Sequence, residues 1–232
     1  MLEPVYRADS KSAVRKGMWV RSPPAAPSPR TVPDCVAGPT HASPCISPAR
    51  LGEAYAYLLG MYLGDGSITR HPRGVARLRI ALDIRHSIAI TRCIACIEEV
   101  RRRKPGLVLR SGCVDVSSYW KHWPCLFPQH GPGPKHQRAI RLERWQQDLV
   151  ERYAPEFLAG LLHSDGCRSI NRVKGGAYPR YFFTNESADI RRLFMMVCDI
   201  LGVEYRPNRT NCLSVARRGS VQRVDDLIGP KA

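Results

Sequence analysis

The segment Leu158-Ala159-Gly160-Leu161-Leu162-His163-Ser164-Asp165-Gly166 decides the fold, because Leu58-Leu59-Gly60-Met61-Tyr62-Leu63-Gly64-Asp65-Gly66 says nearly the same thing 100 residues earlier. Each is an apolar helical run that ends in Asp-Gly. The repeat implies two similar halves, with one carboxylate at the same place in each. Gly60 and Gly64 are four apart and share one helix face, and Gly160 and Ser164 match them in the second copy. Small residues at that spacing let two helices approach closely. If the two runs lie against each other, their C-terminal ends sit side by side and Asp65 and Asp165 project near a pseudo-twofold axis.

A carboxylate at a helix C-terminus faces the negative end of the helix dipole. Two carboxylates brought close also repel. A hard divalent cation, Mg2+ or Mn2+, removes both costs and takes carboxylate, carbonyl, water and phosphate oxygens. Held between Asp65 and Asp165, it would activate water and stabilise a departing phosphodiester oxygen. Gly64 and Ser164, immediately before the carboxylates, complete the candidate metal positions. A single Asp-Gly would read as a helix stop; two in the same context point to a site.

The whole chain supports a polyanionic partner. Its 232 residues carry 36 Lys plus Arg against 20 Asp plus Glu, a formal net charge of +16. Such a surplus favours nucleic acid over an anionic membrane surface. The basic residues are spread along the folded part, so the expectation is a basic face on the domain and not a basic tail. No stretch is apolar and long enough to span a membrane. Met1-Leu2-Glu3-Pro4 opens no secretory signal. Nine scattered cysteines, an odd number, fit a cytoplasmic protein with reduced thiols.

Residues 1–47 form a Pro-rich basic arm, in which Pro23, Pro24, Pro27, Pro29, Pro33, Pro39 and Pro44 break any helix or central strand. The first repeat spans residues 48–127, and a Gly- and Pro-rich linker spans 128–141. The second repeat spans 142–230. The pattern predicts the order helix, two strands, helix, two strands, helix in each half. In the first half, Ala76 to Leu82 alternates with period two, and His86 to Arg103 has helical periodicity. In the second, strands are expected at Arg168 to Val173, Tyr178 to Thr184, Val203 to Arg206 and Leu213 to Arg217. Gly66 is expected to supply a left-handed cap after the first motif. Thr184-Asn185 is expected to cap the helix from Glu186 to Leu201.

Both motifs resemble the LAGLIDADG motif of homing endonucleases, the second closely and the first in more diverged form. The resemblance covers about residues 48–230, both halves of a single-chain, two-repeat member. It implies an α+β fold of two pseudo-symmetric αββαββα repeats, a saddle with the motif helices at its centre and two curved sheets in the DNA major groove. It also implies metal-dependent cleavage of double-stranded DNA by a monomer, with Asp65 and Asp165 as the catalytic acidic residues. Lys121, Arg217 and Arg218, at the end of each half's last strand, are nominated as central basic residues. The short His71 to Gly74 and Lys174 to Gly176 turns imply a short footprint.

For DNA contact the nominated residues are Arg77 and Arg79 in the first half, with Arg168, Asn171, Arg172, Arg180, Arg206 and Arg209 in the second. Arg pairs with guanine edges and Asn with adenine edges, while Arg also grips phosphate. Tyr178, Arg180 and Phe182 share one face of their strand and Tyr181 and Phe183 the other; one face must lie against helices. Lys135-His136 either touches DNA or ties the halves together. Cys93, Cys96, Cys113 and Cys125 are weighed as a zinc set, but core packing is the favoured reading. His163 is read as a packing or DNA-contact residue. The leading function is therefore a DNA endonuclease. A cleavage-inactive DNA-binding regulator is the alternative, and an RNA-binding splicing factor a lesser one.

Overall fold

A computed structural model describes residues 46–173 and 175–229. The expected N-terminal arm lies outside the described residues except for Ile46 and Ser47. After a 3-10 turn at Pro48–Arg50, the first half runs α1 (Glu53–Asp65), β1 (Gly66–Arg70), β2 (Ala76–Asp83), α2 (Ser87–Arg101), β3 (Gly106–Arg110), β4 (Cys113–Trp120) and α3 (Trp123–Leu126). The second half runs α4 (Arg144–Arg152), α5 (Ala154–Asp165), β5 (Gly166–Val173), β6 (Gly176–Thr184), α6 (Ala188–Ile200), β7 (Arg206–Arg209), β8 (Cys212–Val215) and α7 (Arg218–Ile228). Each half contributes one antiparallel four-stranded sheet, ordered β1-β2-β4-β3 and β5-β6-β8-β7. The α+β fold of two repeats is the one the motif pair implies.

The two motif helices form the centre. Every residue of α1 from Ala54 to Leu63 is buried, as is every residue of α5 from Phe157 to His163. A helix apolar on all sides must be covered on all sides. Here α1 and α5 cover one another, and the inner faces of the sheets supply Leu78, Ile80, Val116, Tyr181 and Phe183. The helices meet backbone to backbone. A Cβ added to Gly60 would lie 2.6 Å from the Phe157 carbonyl oxygen and 2.8 Å from the Leu161 nitrogen. A Cβ on Gly160 would strike the Tyr57 carbonyl oxygen and lie 2.9 Å from the Met61 nitrogen. One turn on, Ser164 fills the space that a Cβ on Gly64 would need.

Three expectations are corrected. Gly66 is not left-handed: its φ of −86° and ψ of 152° are extended, as are those of Gly166 at −90° and 154°. The helix therefore turns straight into a strand, and glycine is required because a Cβ would collide with the turn before it. On Gly66 that atom would lie 2.5 Å from Tyr62 Cα, and on Gly166 it would lie 2.5 Å from the Leu162 carbonyl oxygen. Second, α6 is capped by Ser187, whose hydroxyl accepts from the Ile190 N–H, with Asp189 in the first turn. Asn185 is thereby released for another partner. Third, β7 begins at Arg206, while Val203 is buried in the core; the stretch that reads as strand is the helix exit.

The connection between halves is built into the structure. Gln129 and Gln146 are buried, and Gln129 Nε2 donates to Gln146 Oε1 at 2.5 Å. Gln146 Nε2 donates at 2.7 Å to the Tyr55 hydroxyl, which itself donates to the Leu126 carbonyl at 2.5 Å. Asp189 of α6 accepts from the Ile140 N–H at 2.8 Å. Among the described residues no helix is long and apolar enough to cross a membrane.

The helix crossing is testable through its glycines. Gly160→Ala places a methyl against backbone that cannot yield, so a loss of at least about 2 kcal/mol is expected, read as a fall of roughly 4–8 °C in melting temperature. Gly219→Ala, in the first turn of α7 with open space around it, is expected to raise stability by about 0.5 kcal/mol. Equal melting temperatures for Gly160→Ala and the parent would refute the close crossing.

Candidate metal centre and nucleic-acid interface

Because α1 and α5 cross at their glycines, their last residues come together. Asp165 Oδ2 lies 2.8 Å from the position of a Cβ on Gly64, the residue before Asp65. Asp65 is exposed and Asp165 half-buried. Both are the final residues of their helices, and the strands that start at Gly66 and Gly166 fix their direction. A cavity of about 490 Å3 opens at this point, lined by Gly64, Asp165, Lys135, Arg138, Asn185 and Ser67, among others.

Two polar residues hold this centre in roles other than those expected from the sequence, where Asn185 reads as a helix cap and Lys135 as a DNA contact or a tie between the halves. Asn185 Nδ2 donates to Asp165 Oδ2 at 2.6 Å. Its Oδ1 accepts from the Ser187 N–H at 2.8 Å, which fixes the amide. The contact follows from register: Gly166 pairs with Phe183, so the chain leaving β6 two residues later passes the end of α5. The second residue is Lys135, from the linker. Its ammonium donates to the carbonyl oxygens of Tyr62 at 2.5 Å and Gly64 at 2.8 Å and lies 5.0 Å from the Tyr62 ring centre. Burial pushes the Lys135 amine down to about 8, against the pull of Asp165 and Asp65, with Arg138 adding to the fall. Both motif carboxylates therefore act on one ammonium.

Arg138 shapes the loop that carries Lys135. Its Nη1 donates to the carbonyls of Gly131 at 3.0 Å, Pro132 at 3.3 Å and Gly133 at 2.6 Å, and its Nη2 to that of Gln129 at 3.1 Å. A guanidinium that gathers four carbonyls folds the Gly-Pro segment around itself.

The donor chemistry at the centre fits a hard divalent ion. Asp65, Asp165 and the Gly64 carbonyl offer oxygens, and Mg2+ draws its other ligands from water and phosphate. Among the described residues, no three His, Cys, Asp or Glu side chains converge as metal ligands. Ser164, expected both at the helix contact and among the metal positions, donates its hydroxyl within α5 to the Gly160 and Leu161 carbonyls, both at 3.0 Å, and its side chain faces Gly64. It is a helix-contact residue.

The other central nominees lie elsewhere. Arg217, the residue before α7, pairs with Glu204 at 2.5 Å. Lys121, Arg217 and Arg218 do not line the cavity, and neither does Asp65. His163 is buried in the helix pair, where its Nδ1 meets the Tyr57 hydroxyl at 2.8 Å. Cys93 and Cys96 are buried on α2, and burial pushes the Cys96 thiol up to about 12.

Strand register decides which side chains share the outer face of each sheet. In the first sheet Leu78, Ile80 and Leu82 turn to the helices. Arg77 therefore faces out with Tyr119, its partner in register, and Arg79 with Ser117. Arg77 sits over the Tyr119 ring at 5.8 Å. Asp115 lies on the same face with 1% of its side chain exposed, 3.6 Å from Arg79 and 2.7 Å from Arg110. Arg110 was not nominated, although the Ser111-Gly112 turn pairs it with Cys113 and puts it on that face.

In the second sheet Tyr181 and Phe183 are buried, so Tyr178, Arg180 and Phe182 face out. Asn171 joins them opposite Tyr178, and Arg206 joins them opposite Ser214, itself opposite Phe182. Arg209 is exposed at the β-bulge of the edge strand. Arg168 and Arg172 belong to the opposite, helix-side parity. Arg168 is opposite Tyr181 and is held there, its Nη2 2.9 Å from Asp225 on α7. Asp225 also accepts from the Tyr181 hydroxyl at 2.5 Å. The nomination of Arg168 for DNA contact is thus corrected: it ties the sheet to α7.

Burial would push the Asp225 carboxyl up, but the Arg168 and Tyr181 hydrogen bonds outweigh it and hold the carboxyl below 3.8. A depressed carboxylate contributes stability above its unfolded value and loses it as pH falls through the folded one. Asp225→Asn is expected to lower stability by about 2 kcal/mol at pH 7. The deficit against the parent should shrink as pH drops below about 3.8. Thermal melts from pH 7 to pH 3 check this; a pH-independent difference would contradict it.

No protein-family model matches this sequence, and no curated protein matches it by sequence. Solved structures do match it by fold. The homing endonuclease I-WcaI, bound to its DNA recognition sequence, superposes with a TM-score of 0.52 at 16% identity over 78% of this chain and 83% of that one. The N-terminal LAGLIDADG domain of DUF199/WhiA superposes with a TM-score of 0.50 at 13% identity over 78% of this chain and 82% of that one. At these identities the likeness is one of backbone architecture, and the chain has the two-repeat LAGLIDADG fold.

Proposed function

We propose that this chain binds double-stranded DNA along its two outward sheet faces and hydrolyses phosphodiester bonds at the ends of its paired motif helices. The observation that carries this reading is the meeting of the two helix ends, where Asp165 lines a cavity with Gly64 and Asp65 is exposed as the last residue of α1. A fold shared with a DNA-bound homing endonuclease supports it, as does the net charge of +16.

Arg77, Arg79, Arg110, Arg180, Arg206 and Arg209 are the DNA-facing set, with Asn171 beside them. Arg77 and Arg180 lie over aromatic rings, Tyr119 and Phe182, which holds each guanidinium in place. Asp115 orders Arg79 and Arg110 while leaving net positive charge on the face. The repeats 48–127 and 142–230 work as one monomer through the linker at 128–141, and a cytoplasmic location accompanies this reading.

Asp65 and Asp165 would hold the divalent ion, which supplies Lewis acidity and an activated water when bound. Asn185 fixes the Asp165 carboxylate so that an oxygen stays directed at the centre. In the reaction, a bond forms between water oxygen and phosphorus and the bond to the departing sugar oxygen breaks. The water's proton ends on that sugar oxygen. A second reading, DNA binding without cleavage, is favoured by one observation: the Gly64 carbonyl is already taken by the Lys135 ammonium.

A randomised duplex library with Mg2+ or Mn2+ tests the leading reading. Defined cuts are expected, and Asp65→Asn with Asp165→Asn should abolish them while DNA binding survives. Selective binding without cuts in either protein would overturn cleavage and leave the second reading. For the interface, Arg77→Ala and Arg180→Ala should each weaken binding and reduce the salt slope by about 1. Arg168→Ala should leave the slope unchanged and lower the melting temperature instead; the opposite pattern would reverse the assignment of faces.

A further inference from the structure

The linker that joins the halves also enters the centre, and it enters once, on one side of a nearly symmetric site. The last carbonyls of a helix lack partners within it. Here that of Gly64 accepts from Lys135 Nζ at 2.8 Å, and that of Tyr62, which also takes the Gly66 N–H, accepts from it at 2.5 Å. The ammonium is placed over the Tyr62 ring at 5.0 Å. It sits at the negative end of the α1 dipole and within reach of the charges of Asp65 and Asp165. These are the electrostatic demands a divalent ion would meet. The loop that delivers Lys135 is not a loose tether, because Arg138 gathers the carbonyls of Gln129, Gly131, Pro132 and Gly133.

We infer that Lys135 is the resident cation of the motif centre, occupying the Gly64 carbonyl in competition with any divalent ion. This deepens the reading of the centre given above and rests on it. An ammonium and a doubly charged ion cannot share one carbonyl oxygen, since like charges a few ångströms apart repel strongly outside bulk water. Lys135 must therefore withdraw before the Gly64 oxygen can ligate a metal. Until then it offsets the repulsion between the two carboxylates and the helix ends. The centre is consequently stable without metal and able to hold DNA without cutting it. Withdrawal requires the Lys135 side chain to leave these carbonyls, and Gly131, Gly133, Pro134, Lys135, His136 and Arg138 line the cavity, so a DNA backbone entering there is the natural displacing agent.

The test is Mn2+ affinity in the full chain without DNA, by calorimetry and by electron paramagnetic resonance of free Mn2+. The variants are Lys135→Met, which keeps the length of the side chain without charge, and Arg138→Gln, which keeps Lys135 but loosens its loop. Lys135→Met is expected to bind Mn2+ at least tenfold more tightly than the parent, and the gain should vanish when Asp165→Asn is added. Its melting temperature without metal should fall, and saturating Mn2+ should raise it more than it raises the parent's. Arg138→Gln should show a smaller shift in the same direction and serves alone if Lys135→Met does not fold. Equal Mn2+ affinity in parent and variants would overturn the role of Lys135 and leave the metal centre standing. No Mn2+ uptake even with Lys135 removed would overturn the metal centre itself, and the competition with it.

Discussion

The structure depends on one steric constraint: α1 and α5 touch backbone to backbone. Gly60 and Gly160 leave no room for a Cβ on either helix at the point of closest approach. That contact sets the separation of the two halves, lies within the buried middle of both helices, and brings their final residues together. A side chain at either glycine would separate the helix ends and so the carboxylates. Fold and site thus rest on the same few atoms, which is why small residues at a spacing of four matter more here than the apolar residues around them.

The second requirement is electrostatic. Helix C-termini are poor places for carboxylates, and this chain puts two of them at adjacent C-termini. The structure meets that cost with asymmetric devices. On one side the linker brings Lys135 to the carbonyls that end α1; on the other, Asn185 donates to the Asp165 carboxylate. The halves resemble each other in element order and sheet topology, yet their contributions to the centre differ because only one linker joins them. The linker also carries a buried network from Gln129 through Gln146 to Tyr55.

Charge on the sheets follows a similar division. On the outer parity, Arg77 and Arg180 are ordered by aromatic rings and Arg79 and Arg110 by Asp115, and they remain turned outward. Arg168, on the inner parity, is consumed by Asp225 and Tyr181. Composition alone cannot separate these two populations, since a strand exposes alternate residues and a shift of one reverses every assignment.

The sequence by itself determined the repeat, the two motif helices, the element order of both halves and the place of Asp65 and Asp165 as the last residues of those helices. These are local or periodic signals: a helical apolar run, a spacing of four between small residues, and alternation along Ala76 to Leu82. Tertiary structure alone decided which sheet face is outward, because both faces of β6 carry aromatic residues and only the covering helix distinguishes them. It alone showed that Gly66 and Gly166 avoid collision in an extended conformation and do not supply a left-handed turn. It alone brought Lys135 and Asn185 to the centre. Lys135 lies 71 residues from the Gly64 carbonyl it binds and Asn185 lies 20 from Asp165. Hydrogen bonds to a carbonyl and a carboxylate across such separations leave no periodicity in the chain; they exist only once the helices have crossed and the strands have taken their register.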